Sequence, residues 1–239
     1  MATPASAQDL RRVVKLVKPS IVGIATYMKT GRPPITLRGT GFAVTDGLHV
    51  VTNAHVLPKK LNKKRKESLV VLIGRGDKVN VRSAEVVASD PDHDVAVLKI
   101  VGPPLPALKL GDDKTAEEGQ LVAFTGFPIG AVLGLYPVTH RGIISSITPI
   151  ATPLPSAKAL DVNTIKRLRD RYPVFQLDAT AYPGNSGSPL YEVDTAKVIG
   201  IVSSVFVQAS KERVLQDPSG ITYAIPVRYA KALLATLKQ

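Results

Sequence analysis

The 239-residue chain contains no cysteine. Disulfide staples, a thiolate nucleophile and cysteine-ligated metal sites are therefore excluded, while a reducing cytosol and a cysteine-poor extracytoplasmic location both stay open. No stretch approaches the roughly eighteen uninterrupted apolar residues of a membrane-spanning helix, so none is expected. Acidic residues are scarce, at 19 Asp and Glu against 31 Lys and Arg, which leaves a formal net charge of +12. Such an excess favours anionic partners. Part of it sits in "KKLNKKRK", Lys59 to Lys66, which has one apolar residue and no aromatic to stack on a base. The run is poor material for reading nucleic acid, and no specific nucleic-acid partner is expected. A solvated loop and an anion-binding patch remain two open readings of it. The N-terminus "MATPASAQDL" lacks the basic start and apolar core of an intact signal peptide, although Ala5-Ser6-Ala7 resembles a small-residue cleavage site. A mature secreted protein and a plain disordered tail both fit.

What is present is mostly strand signal. Short runs rich in Val, Ile and Thr, bounded by Gly, Pro, Asn and Asp, recur from "SIVGIAT" through "GTGFAVT", "LHVVTNA", "DVAVLKI", "LVAFTGF" and "KVIGIVSSVFV" to "ITYAIP", eleven in all. So many strands with few helical stretches predict an all-β sandwich or pair of barrels. Helical periodicity is confined mainly to the ends. Leu10, Val13, Val14 and Val17 form one stripe behind a Ser6-to-Asp9 capping pattern, and Ala230, Leu233, Leu234 and Leu237 form another. A third, more polar helix is expected over "DVNTIKRLRDRY", Asp161 to Tyr172, as a surface insertion. The Pro- and Gly-rich "VGPPLPALKLGDDKTAEEG" divides the strands into two groups and suits a linker.

The chemistry centres on "YPGNSGSPL", Tyr182 to Leu190. A serine hydroxyl needs a base to take its proton and a third group to orient that base. Ser186 lies in Gly-Asn-Ser-Gly, where flanking glycines permit a sharp turn with converging backbone N–H groups, as an oxyanion hole requires. His55 follows the apolar run "HVV" and a Thr-Asn-Ala turn, and Asp94 opens the apolar strand "VAVLKI". Asp90 and Asp92 are rivals for the orienting carboxylate. Each residue alone has a bland reading as turn punctuation or surface polarity. Together they occur in the order His, Asp, Ser, the order of the chymotrypsin-type triad. No His or carboxylate spacing suggests a catalytic metal, no cofactor is expected, and His49 and His93 read as structural.

The segments "GTGFAVTDGLHVVTNAHVL", "DPDHDVAVLKI", "LKLGDDKTAEEGQLVAFTGFPIG", "YPGNSGSPL", "KVIGIVSSV" and "ITYAIPVRYAKALL" resemble, in order, the protease domain of the HtrA/Deg family of chymotrypsin-like serine endopeptidases. The resemblance implies two six-stranded β-barrels with a cleft between them. An N-terminal tail and helix would occupy residues 1–20, the first barrel 21–112, the second 113–226 and a C-terminal helix 227–239. His55 would act as general base and then acid, Asp94 would orient it, and Ser186 would attack the scissile carbonyl. The N–H groups of Gly184 and Ser186, with Asn185, would hold the oxyanion. Ala181 and Val205 would line an uncharged S1 pocket, which points to small or medium aliphatic P1 residues. The substrate would be unfolded or exposed polypeptide, in protein quality control, in a periplasmic or secreted setting. The family also implies a homo-oligomer, a trimer built on N-terminal segments. The alternative is a protease-fold binding module with an idle triad.

Several features depart from the family pattern. Ser188 stands where a second glycine is usual, a form shared with glutamyl endopeptidases, but "GIVSSVF" lacks the histidine those enzymes use for acidic P1 residues. The connection from Thr148 to Tyr172 is longer than usual and lies where the family keeps activation loops. No PDZ segment follows the C-terminal helix, so regulation by such a domain is expected to be absent. Asn185 carries no charge to pair with a newly cut N-terminus, so activity is expected to depend on loop ordering over 148–182, with a flipped Gly184 and a collapsed oxyanion hole at rest. His140, near the insertion, reads as a surface residue.

Overall fold

The computed structural model describes residues 7–76, 78–128, 134–149, 172–203 and 222–238. Twelve strands close into two antiparallel barrels of six. The first contains β1 (Ile21–Tyr27), β2 (Ile35–Val44), β3 (His49–Thr52), β4 (Ser68–Arg75), β5 (Lys78–Asp90) and β6 (Val95–Ile100), in the order β1-β2-β3-β6-β5-β4. The second contains β7 (Leu121–Gly126), β8 (Val138–Pro149), β9 (Pro173–Leu177), β10 (Pro189–Glu192), β11 (Val198–Ser203) and β12 (Thr222–Pro226), in the order β10-β11-β12-β9-β8-β7. The all-β double barrel expected from the sequence is the observed fold. Eleven of the strands follow the apolar runs. The twelfth, β10, is short, opens on Pro189 directly after the Ser186 turn, and was hidden in that turn's sequence.

Strand alternation sorts most of the core side chains into the two barrel interiors and a layer shared between them. Val22 and Ile24 of β1 fill the first barrel with Val50, Val71 and Leu98, whereas Ile21 points out into the interface. In β7, Val122 and Phe124 fill the second barrel, and the intervening Ala123 joins the interface. Phe42, Val51, Val97, Phe127, Tyr191 and Ile201 belong to that shared layer. Strands buried on both faces must be apolar throughout, which is why β11 reads as an uninterrupted run.

Both terminal helices close on the same layer. α1 (Ala7–Val17) buries Val13 and Val17, and α2 (Arg228–Ala235) buries Ala230 and Leu234. The start of α2 is fixed by buried Asp113, which accepts the Arg228 N–H at 2.9 Å and pairs with the Arg228 guanidinium. The connection between barrels is a clasp rather than a loose linker. Leu108 N–H donates to the Ala43 carbonyl (2.9 Å) in the first barrel, and Gly111 N–H donates to the Val198 carbonyl (2.7 Å) in the second. The helix expected over Asp161 to Tyr172 lies outside the described residues, Tyr172 excepted.

Candidate active site

His55 sits in a single helical turn, Ala54–Val56, between β3 and β4. Its ring Nδ1 lies 2.7 Å from Asp94 Oδ2, and its backbone N–H donates to Asp94 Oδ1 at 2.8 Å. Both carboxylate oxygens therefore hold the same residue. A carboxylate on Nδ1 keeps the ring proton there and leaves Nε2 as the basic nitrogen. Asp94 reaches this position with φ +53°, in the left-handed region that side chains with a Cβ avoid. Its carbonyl accepts from Asn53 Nδ2 (2.9 Å) and from Ala54 N–H (3.2 Å), which secures the unfavourable backbone. Strain held by surrounding hydrogen bonds is common at functional residues.

The rival Asp90 serves otherwise. Asp90 closes its own turn by accepting the N–H groups of Asp92 and His93, each at 3.2 Å, and its Oδ2 lies 2.7 Å from His93 Nδ1. The His93 ring stacks on Tyr229 of α2 with centroids 3.9 Å apart, and Tyr172 tilts against both rings. Thus the turn that presents Asp94 is clamped to the C-terminal helix. Tyr172 is buried enough beside Asp94 that burial, then the neighbouring negative charge, pushes its phenol far above the ordinary range.

Ser186, 5% exposed, is carried by a tight turn at the edge of the second barrel. Its carbonyl accepts the Thr40 N–H at 2.8 Å, and the Gly184 carbonyl accepts the Thr40 hydroxyl at 2.7 Å. Thr40 belongs to β2, so the first barrel holds the turn directly. Gly187 continues the anchorage by donating to the Val202 carbonyl (2.9 Å), and its φ of +88° suits only glycine. A Cβ there would collide with the Thr40 carbonyl. Gly39 marks the meeting point of the two halves. A Cβ on it would stand 2.8 Å from Val56, next to His55, and 2.9 Å from the Ser186 carbonyl.

The structure corrects one part of the expected oxyanion hole. Asn185 N–H donates to the Tyr182 carbonyl at 2.9 Å inside the turn, so it does not project toward a substrate. The Asn185 side chain is fully buried, and neither its Nδ2 nor its Oδ1 has a hydrogen-bond partner. Gly184 has φ +101°. Residues 150–171, the bulk of the connection expected to govern loop ordering, lie outside the described residues.

Ala181 packs against the second-barrel core and donates its N–H to Thr222 Oγ1 at 3.0 Å. Val205, the other expected S1 residue, lies outside the described residues. His140 is not the surface residue its sequence suggested. It stacks on Phe124 at 4.8 Å, its Nε2 is buried without a partner, and burial lowers its pKa. Sequence reasoning missed Thr40, Asn53 and Ser203. Ser203 Oγ donates to Asp94 Oδ2 at 3.3 Å across 109 positions. A serine ending the otherwise apolar β11 was its only signal.

Residues 39–201 match the family described as the trypsin-like peptidase domain. This chain belongs to that family. The matched span carries His55, Asp94 and Ser186 together. The domain is also similar to a "Probable periplasmic serine endoprotease DegP-like" of Halomonas elongata, 35% identical over 80% of this chain and 33% of the relative. A protein of the same name from Pseudomonas fluorescens is 30% identical over 84% of this chain and 35% of its own length. The chain therefore spans about a third of these relatives. Among solved structures it resembles the serine endoprotease from Yersinia pestis (TM-score 0.65, 25% identity, 99% of this chain and 68% of that one). It also resembles the HtrA-type protease AlgW with tripeptide (TM-score 0.67, 24% identity, 95% and 63%).

Proposed function

We propose that this trypsin-like peptidase domain is a serine endopeptidase of the HtrA type, with His55, Asp94 and Ser186 as its triad. The observation that carries the reading is the two-point grip of Asp94 on His55, at 2.7 and 2.8 Å, on the barrel that also anchors the Ser186 turn. Ser186 Oγ attacks the scissile carbonyl while His55 Nε2 takes its proton. The imidazolium so formed is stabilised by Asp94, and His55 then protonates the departing amine. The N–H groups of Gly184 and Ser186 receive the developing oxyanion, which contributes about 3 kcal/mol per donor to lowering the barrier. Water repeats the sequence on the acyl-enzyme.

An uncharged S1 wall at Ala181 suits a Val, Ala or Ile side chain, whereas a buried lysine ammonium would lack a partner. We assign the substrates to unfolded or exposed polypeptide and, from the names of its relatives, the setting to the periplasm. The test is cleavage of unfolded casein by wild type and Ser186→Ala, together with matched peptides varied at P1. Wild type alone should cut, with Val or Ala favoured over Lys by at least about tenfold in kcat/KM. Equal cleavage by Ser186→Ala would refute the triad, and preference for Lys would refute the pocket.

A further inference from the structure

We propose that the basic face formed by the β1–β2 and β3–β4 loops is a docking platform for acidic segments of the polypeptide substrate, beside the scissile bond. This rests on the peptidase reading above and adds a substrate preference that S1 does not supply. Lys59, Lys60, Lys63, Lys64, Arg65 and Lys66 are all exposed. The sole acidic residue of their loop, Glu67, turns its carboxylate to the Asn62 N–H at 2.8 Å. The loop is a folded knob. Asn62 Oδ1 accepts the Arg65 N–H at 3.1 Å, and the Asn62 carbonyl accepts the N–H groups of Arg65 and Glu67, also at 3.1 Å. Lys66 then reverses the chain at φ +53°.

Arg65 joins the knob to the neighbouring loop by donating to the Thr30 carbonyl at 3.1 Å and to its hydroxyl at 3.3 Å. That loop adds exposed Lys29 and Arg32. Among the described residues none of these eight cations takes part in an ion pair. Like charges gathered without counter-charge raise the local potential and attract an anionic chain.

The platform begins close to His55. Lys59 is four positions beyond His55, so their Cα atoms are at most about 15 Å apart. On the other flank, Arg38 Nε donates to the Val56 carbonyl at 2.8 Å, one residue before the Gly39 contact with the Ser186 turn. An extended substrate advances about 3.3 Å per residue, so about five residues of it span the His55–Lys59 separation. Adjacency to a peptidase cleft, and loops 57–67 without an aromatic for base stacking, favour an acidic polypeptide over nucleic acid.

The test uses two fluorogenic peptides with the same aliphatic P1 core, one flanked by a run of glutamates and the other by glutamines. Rates are normalised to enzyme titrated with a fluorophosphonate, at low and high ionic strength. In wild type the glutamate peptide should have the higher kcat/KM by about tenfold through KM, and added salt should erase the advantage. In the charge-reversed variant Lys59→Glu/Lys60→Glu/Lys63→Glu/Lys64→Glu the ratio of the two peptides should fall to one or below. A ratio near one in wild type, or an unchanged ratio in the variant, would overturn the platform while leaving the peptidase reading intact. No cleavage of either peptide, with no titration, would instead overturn the peptidase reading on which the platform rests. Tighter binding of a single-stranded oligonucleotide than of the glutamate peptide at equal ionic strength would overturn the assignment in favour of nucleic acid.

Discussion

In the proposed site the His55–Asp94 half leaves one buried polar atom, Asn53 Oδ1, without a hydrogen bond, whereas the Ser186 turn leaves three, both side-chain amide atoms of Asn185 and Ser188 Oγ. Asp94 accepts from His55 twice and from Ser203, and its carbonyl accepts from Asn53 and Ala54. The Ser186 turn is held through Thr40 and Val202, while the Asn185 amide and the Ser188 hydroxyl are buried without hydrogen bonds. Each such orphan costs about 1–3 kcal/mol. The contrast makes the Ser186 turn the more easily disturbed half of the proposed site. It also makes Thr40 the main tie between the two halves.

The largest effect should come from breaking the better-satisfied half. Asp94→Asn removes the charge and replaces one of the two acceptor oxygens on His55 by a donor, which favours the wrong tautomer, and kcat should drop by about 10⁴-fold with KM little changed. Steady-state kinetics on an aliphatic P1 peptide measures this. Next comes Gly187→Ala, which places a Cβ against the Thr40 carbonyl in a left-handed backbone. Chemical denaturation should show a loss of about 3 kcal/mol or more.

Thr40→Val tests the tie itself. It keeps the shape but removes a hydroxyl that donates to the Gly184 carbonyl (2.7 Å) and accepts the Phe127 N–H (3.0 Å). Stability should fall by about 2 kcal/mol, and activity should fall further than stability accounts for, because the turn carrying Ser186 loosens. Equal activity per folded molecule would break the comparison.

Much of the fold is legible in the sequence. The strands were visible because burial on two faces demands continuous apolar runs, as in β11. The histidine, aspartate and serine were visible because their flanking residues mark a turn, a strand mouth and a glycine hinge. Thr40 and Ser203 were not, because a lone hydroxyl in an apolar strand carries no sign of its distant partner. Asp90 and Asp94 differ only through backbone conformation and through what His93 and His55 bring to them. The role of His140 was hidden for the same reason, since its stacking on Phe124 arises from the β7–β8 register.

The smallest predicted effect concerns that histidine. Burial lowers the folded-state pKa of His140 below the value of about 6.5 in an unfolded chain. Its neutral form therefore supports the fold fully above about pH 6.5, and that support is lost as pH falls through the folded value. Thermal unfolding followed from about pH 7.5 down to about pH 5, from above the unfolded value to well below it, should show a shallower decline in His140→Phe than in wild type.

The central claim is that Ser186 is a nucleophile activated by the His55–Asp94 pair. Reaction with a fluorophosphonate, followed by peptide mapping, tests it most directly. The account predicts a single adduct on Ser186 in wild type, sharply slowed in His55→Ala and lost in Ser186→Ala. An adduct on another residue, or labelling of Ser186 at the same rate without His55, would contradict it.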